Sequence, residues 1–149
     1  MAASRSPERR VPALTPAEGL TAVGAAVVAA SVFIPWYGIP FSNGLSVTAL
    51  DSFGFAHAAL LLTVAAAVWL VFRRARGHTL ARPLDAGRLV AVAGGWAALL
   101  TVFLIFDRPE ELAGSVRVGV RLGPFFSLAG SLAILVGGLR MSSEPPRAT

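Results

Sequence analysis

The chain has 149 residues, of which 55% are hydrophobic and 14% are charged, whereas an average soluble domain carries about 25% charged residues. The net charge is +5, and all the basic residues behind it are arginines. Because the arginines flank apolar stretches instead of forming one patch, nucleic-acid binding is disfavoured. The absence of cysteine excludes disulfides, thiolate metal sites and cysteine nucleophiles.

Four apolar stretches are long enough to cross a bilayer. A hydrocarbon core of about 30 Å requires about 20 helical residues at 1.5 Å each, and each stretch is apolar on all sides, unlike an amphipathic soluble helix. The predicted spans are residues 16–34, 53–72, 86–106 and 124–139. We therefore predict an all-α membrane bundle of four transmembrane helices forming one domain over residues 1–149, with disordered polar tails over about residues 1–12 and 142–149.

Local signals mark where the spans begin. Thr15, Pro16 and Glu18 form the pattern of a capping box, in which Thr15 and Glu18 each bond to the other's backbone N–H. The other predicted start signals are Asp51 or Ser52, Asp85, and Pro124 in a first helical turn.

The arginines predict the orientation, because positively charged connectors stay in the cytoplasm. Arginines precede the first span, crowd the connector "RRARGHTLARPLDAGR" and follow the fourth span, whereas the first outer connector has none. The second outer connector departs from this rule with Arg108, Arg117 and Arg121. We predict a multi-pass protein of the plasma membrane with both termini in the cytoplasm.

Both outer connectors contain strand signals. In "FIPWYGIPFSNG" the Asn43-Gly44 pair is a strong hairpin turn signal, and "SVRVGVRL", residues 115–122, alternates with the period of a strand. These patterns predict a small extracytoplasmic antiparallel sheet, with irregular connectors as the alternative. Trp36 and Tyr37 are predicted to anchor at the membrane interface.

The spans contain little chemistry. No titratable residue is predicted at mid-membrane depth, where charges usually mark ion pathways, and no catalytic motif is present, so we predict neither enzymatic activity nor a cofactor. His57 and His78 lie at opposite ends of one span, which disfavours a two-histidine metal site. The candidate ligand or partner contacts are Trp36, Tyr37, Asp51, His57, Trp96 and Phe125.

Small residues at helical spacing predict close helix packing. Ala91, Gly95 and Leu99 share one face of the third span, Gly94 and Ala98 an adjacent one, and Ala129, Ala133 and Gly137 recur along the fourth. Trp96 is near the centre of its span, so we expect it inside the bundle or in a groove facing a partner.

The "PW" pair that closes the first span and the "LVGGLRM" end of the fourth resemble small, mostly uncharacterised four-span membrane proteins of actinobacteria. The layout is also similar to that of claudins, although their cysteine pair and tryptophan-rich signature are missing. The resemblance implies an architecture and no particular activity.

Three functional hypotheses remain open. The first is a non-enzymatic scaffold or accessory subunit that packs against a membrane-protein partner or a second copy. The second is a module that binds or transports a lipid or an apolar small molecule, with Trp96, Phe125 and Phe126 lining a cleft. The third is an envelope sensor of pH or stress, in which His57 and Asp51 respond to the external solution.

Overall fold

The computed structural model describes residues 14–38, 46–51, 54–78, 85–107 and 119–144. Within these residues lie four helices, α1 (Pro16–Ser31), α2 (Phe55–Ala75), α3 (Ala86–Phe106) and α4 (Gly123–Ser143), and three short strands, β1 (Pro35–Gly38), β2 (Ser46–Thr48) and β3 (Gly119–Val120). The three helices α2, α3 and α4 have 21 residues each and are long and apolar enough to cross a membrane. The helix α1 is also apolar but has 16 residues.

The predicted starts of α1 and α3 are confirmed. The N–H of Thr15 donates to Glu18 Oε2 at 2.9 Å, and the N–H of Glu18 donates to Thr15 Oγ1 at 3.3 Å, so the capping box is complete. The carboxylate of Asp85 accepts hydrogen bonds from the N–H groups of Gly87 and Arg88. Each cap satisfies amides that a helix cannot pair within its own first turn.

The prediction that Asp51 caps the second helix is wrong. Gly54 is the N-cap residue of α2 and provides no side-chain bond. The carboxylate of Asp51 accepts instead from the N–H of Thr48 at 2.9 Å and from its hydroxyl at 2.8 Å, which closes a tight turn after β2. Ser52 lies outside the described residues.

The first span ends earlier as a helix than predicted. The residues after Ser31 continue in tighter turns, with the N–H of Phe33 bonded to Ala30 O and that of Ile34 bonded to Ser31 O, both at 3.1 Å. Pro35 explains the change, because it has no N–H to donate to the carbonyl of Ser31 four residues earlier and its ring clashes with that carbonyl. It also disfavours the helical conformation of Ile34.

The other boundaries differ slightly from the prediction. The helix α2 starts at Phe55 and continues to Ala75, and α3 has the predicted bounds. Pro124 lies in the first turn of α4 as predicted, but α4 extends to Ser143. Residues 142–143 are therefore helical and do not belong to a disordered tail.

Both connectors contribute strands to one sheet. The strand order is β2-β1-β3, and β1 pairs antiparallel with both neighbours. Tyr37 lies opposite Val47 on one side and Val120 on the other. The predicted antiparallel sheet is thus confirmed within the described residues, whereas the Asn43-Gly44 turn and residues 115–118 lie outside them.

The helix α4 packs against both α1 and α3 through glycines, whereas α2 packs less extensively against its neighbours. A Cβ added to Gly24 would lie 2.6 Å from the carbonyl oxygen of Gly130, so α1 and α4 touch backbone to backbone. On the other side of α4, a Cβ added to Gly138 would lie 2.7 Å from Ala91 Cα. The predicted close packing is confirmed for Ala91, whereas Gly24, Gly130 and Gly138 lie outside the residue faces predicted from the sequence.

Some of the predicted small residues take no part in this packing. A Cβ added to Gly95 would meet only the Leu135 side chain, at 4.0 Å, and Ala129 is exposed. Gly94, in contrast, packs against the backbone of Leu135. The spacing identified the helices that pack closely but not every residue of the contact face.

Candidate functional site

The aromatic pair of β1 lies inside one end of the bundle. Trp36 is 0% exposed and Tyr37 is 1% exposed, so the prediction that they anchor at a membrane interface is wrong. Trp36 Nε1 donates to Ser31 O at 2.8 Å, and the Tyr37 hydroxyl donates to Leu104 O at 2.6 Å. Both carbonyls belong to the last turn of a helix, where i→i+4 backbone donors run out; Ser31 O accepts from Trp36 in addition to the N–H of Ile34. These bonds let two polar ring atoms become buried.

Trp36 also contacts the two remaining helices. The His57 ring of α2 meets it edge-on, with 5.0 Å between ring centroids and 67° between ring planes. A Cβ added to Gly123, the first residue of α4, would lie 2.6 Å from Trp36 Nε1. Trp36, Tyr37 and His57, which we call the aromatic cluster, therefore connect β1 to all four helices.

His57 lacks the exposed position that a sensor of the external solution requires. It is the third residue of α2 and is 3% exposed. Its imidazole packs against Trp36 in the aromatic cluster. The arrangement favours a structural contribution at this position over direct contact with the external solution.

Asp51 is fully exposed in the turn after β2. The N–H of Thr48, and to a smaller extent its hydroxyl, lower the pKa of Asp51 from its ordinary value, because both donate to the charged carboxylate. The turn is thereby tied to β2 in the ionised form.

Trp96 and Phe125 lie on outward faces of α3 and α4. Trp96 is 53% exposed and Phe125 is 54% exposed. The expectation that Trp96 fills the bundle interior is wrong, whereas its alternative placement in a surface facing a partner stays a prediction. The structure thus brings together three of the six candidate residues, Trp36, Tyr37 and His57, in the aromatic cluster.

A second polar cluster, at the opposite end of the bundle, was missed by sequence reasoning. Arg74 of α2 lies between two carboxylates, with Nε 3.7 Å from Glu18 Oε1 and a terminal nitrogen 3.5 Å from Glu144 Oε2. The Glu18 side chain is 0% exposed, and that of Arg74 is 17% exposed. We call these three residues the ionic cluster; it joins the start of α1, the end of α2 and the end of α4.

Buried hydroxyls add one contact between helices. Thr101 of α3 donates to Ala97 O in its own helix at 2.9 Å, a bond that hydroxyl side chains commonly make to the carbonyl four residues earlier in a helix. Its Oγ1 also lies 3.0 Å from Ser127 Oγ of α4. The pair satisfies polar groups in an otherwise apolar interface.

An apolar groove lies between α1 and α2. Its volume is about 530 Å³, and it is lined by Ala29 of α1 and by a stripe of α2 from Leu61 to Phe72. The cleft predicted from Trp96 and Phe125 is not this groove, because neither residue lines it. Sequence reasoning missed it because the loose packing of α2 against α1 depends on the tertiary arrangement.

The titratable residues suggest no metal centre: within the described ranges, no three histidines, aspartates or glutamates come together in a way that could hold a metal ion. Comparisons with protein-family models, with curated proteins and with solved structures give no match for this chain. Any functional assignment therefore depends on the structure itself.

Proposed function

We propose that the protein is a non-enzymatic scaffold or accessory subunit of the plasma membrane, with four spans and both termini in the cytoplasm. It holds a helix of a membrane-protein partner, or of a second copy, against the outward face of α1. The single observation that carries the proposal is that this face is exposed and built from small residues.

The fourth span is supported by where α1 begins and ends. Glu18, near its start, contacts Arg74 at the end of α2, and Trp36, just beyond its end, contacts His57 at the start of α2. The two helices therefore cover the same thickness in opposite directions. Sixteen residues of α1 extend about 24 Å, and the apolar turns over residues 32–34 lengthen that apolar segment.

The orientation is supported by charge. Arg73, Arg74, Arg76, Arg88 and Arg140 all lie at the end of the bundle that contains the ionic cluster. Because arginine-rich segments stay in the cytoplasm, this end is the inner one. The sheet and the aromatic cluster then form the outer end.

The outward face of α1 has the character of a helix-pairing surface. Gly19, Val23, Ala26 and Ala30 follow one another at spacings of four, three and four residues, which places them on one helix face. Val23, Ala26 and Ala30 are exposed, and a Cβ added to Gly19 would meet nothing within 4 Å. Small residues let a second helix approach closely in a bilayer, and we call this surface the α1 outer face.

The native chain lacks cysteine, which permits a direct test. Ala26→Cys carries a benzophenone crosslinker on the α1 outer face, and Leu62→Cys, at a position of α2 that is 71% exposed, carries it on a control face. After illumination in native membranes, Ala26→Cys should give one discrete adduct at several times the yield of Leu62→Cys. The adduct mass distinguishes a second copy from another protein, and equal yields at the two positions would contradict the proposal.

A further inference from the structure

The groove between α1 and α2 has the dimensions of a site for a hydrocarbon chain. From Leu61 to Phe72 its α2 wall covers three helical turns, or about 16 Å. Two alanines, Ala29 and Ala65, belong to its lining, and both are exposed. These small side chains leave a shallow, open apolar groove that follows α2 and is bordered on the α1 side by Ala29.

The inner end of the groove is cationic. The guanidinium of Arg73 lies 5.0 Å from the centroid of the Trp69 ring, and that of Arg76 lies 3.9 Å from the centroid of the Phe72 ring. Both rings line the groove, so both charges are held at its end. Stacking on a ring face uses none of the five N–H groups of a guanidinium, which stay directed sideways and can bind an oxyanion.

Arg74, which lies between these two arginines in sequence, has a different position. It points into the bundle and contacts Glu18 and Glu144 in the ionic cluster. The arginine run is thus divided into one residue that stabilises the bundle and two that lie beside the groove. A uniformly solvated basic run would not produce this division.

We propose that the groove holds an acyl chain of an anionic phospholipid whose phosphate is bound by Arg73 and Arg76. An apolar channel that ends in two guanidiniums complements an amphiphile with a hydrocarbon tail and an anionic head. Basic pockets beside helices on the cytoplasmic side are a known setting for such head groups. The groove shares no residue with the α1 outer face and takes only Ala29 from α1, so partner binding and lipid binding are tested at different residues.

The test uses quenching of Trp69 by brominated lipid chains. The full chain with Trp96→Phe is reconstituted in phosphatidylcholine bilayers, which leaves Trp69 exposed and Trp36 buried. Brominated phosphatidylglycerol or brominated phosphatidylcholine is then titrated in, with the unbrominated form of each lipid as the reference. We expect half-maximal quenching at a roughly thirtyfold lower mole fraction of the anionic lipid, because two arginines at about 1 kcal/mol each add about 2 kcal/mol of attraction.

Two variants separate the head-group and chain contacts. Arg73→Gln with Arg76→Gln should abolish the preference for the anionic lipid, and Ala65→Phe should reduce quenching by both lipids by filling the channel. There are two matched controls, which should leave the titrations unchanged. Arg140→Gln removes an exposed arginine at the end of α4, and Ala129→Phe enlarges an exposed alanine of α4.

Equal half-saturation for both head groups, or a preference that survives the double arginine variant, would overturn the proposal. The same holds if neither lipid quenches Trp69, since a protein helix would then cover the groove.

Discussion

Individual polar atoms decide how the end of the bundle that contains the aromatic cluster is built. Tyr37 reaches a carbonyl 67 positions along the chain, and Trp36 reaches one only five positions back. Both acceptors lie in the last turn of a helix, where i→i+4 backbone donors run out. Tyr37 therefore caps the end of α3, Trp36 adds a second donor at the end of α1, and with both polar ring atoms bonded the pair can be fully buried.

Tyr37→Phe should destabilise the protein by about 1–3 kcal/mol, because the carbonyl of Leu104 loses its buried donor while the ring stays in place. The free energy of unfolding, measured by denaturant titration in mixed micelles, checks this. Phe125→Leu, at a position that is 54% exposed, is the control and should change stability by less than about 0.5 kcal/mol. A Tyr37→Phe protein as stable as the control would contradict the capping interpretation.

The turn that contains Asp51 should respond to acid. Because the pKa of Asp51 is lowered in the folded protein by donation from Thr48, its contribution to stability is present above the ordinary aspartate pKa of about 3.9. That contribution is lost as the pH falls through the lowered value. Thr48→Val removes the hydroxyl donor and should raise the pKa of Asp51, but leave it below the ordinary value because the backbone N–H remains.

Carboxyl-carbon NMR titration of Asp51 measures this change. The matched control is Thr63→Val, since the Thr63 hydroxyl donates to Ala59 O within its own helix. An Asp51 titration that is identical in Thr48→Val and in the native protein would show that the hydroxyl has no effect on the carboxylate.

At the scale of the elements, glycines set the distance between helices. Gly24 and Gly130 bring the backbones of α1 and α4 together, while Gly138 does the same between α4 and Ala91 of α3. In such contacts the helices attract each other through dispersion between closely packed backbones and not through buried side chains. Close packing of this kind is a main source of helix association in lipid. The helix α4 is consequently the central element of the bundle.

Gly24→Ala should destabilise the purified protein by about 1–3 kcal/mol, because its Cβ would lie 2.6 Å from Gly130 O and force the helices apart. Gly19→Ala is the matched control in the same helix, since its Cβ would meet nothing within 4 Å. We expect the control to be unchanged or slightly more stable, given the higher helix propensity of alanine. Equal losses in the two variants would show that the contact between α1 and α4 is looser than described.

The sequence predicted those features whose cause is local. The capping box at Thr15 and the cap at Asp85 involve amides at most three positions away, and the alternation in the second outer connector indicated the strand that pairs with β1. Partners far along the chain were not predictable, because neither the contact of Tyr37 with Leu104 nor that of Arg74 with Glu18 leaves a periodic pattern. For the same reason, the candidate residues were identified individually, but the grouping of three of them around β1 was not.

On the scale of the whole molecule, the two ends of the bundle are held by different chemistry. The aromatic cluster joins all four helices at one end, and the ionic cluster joins α1, α2 and α4 at the other. The helix α2 is connected at both ends, through His57 and Arg74, but packs loosely against α1 between them. This combination explains how a groove can remain open along a bundle whose remaining helices are in close contact.

The same arrangement makes the number of spans testable. If α1 crosses the membrane with the other helices in the orientation proposed above, residues before it lie in the cytoplasm and those of β2 lie outside. In spheroplasts, a membrane-impermeant maleimide should label Ser46→Cys, but should label Leu14→Cys and Ser143→Cys only after permeabilisation. All three positions are exposed in the folded chain, so access reflects the side of the membrane and not burial. If Leu14→Cys is labelled from outside while Ser143→Cys stays protected, only α2, α3 and α4 cross the membrane. If Ser46→Cys is protected while Ser143→Cys is labelled, the orientation is the reverse of the one proposed.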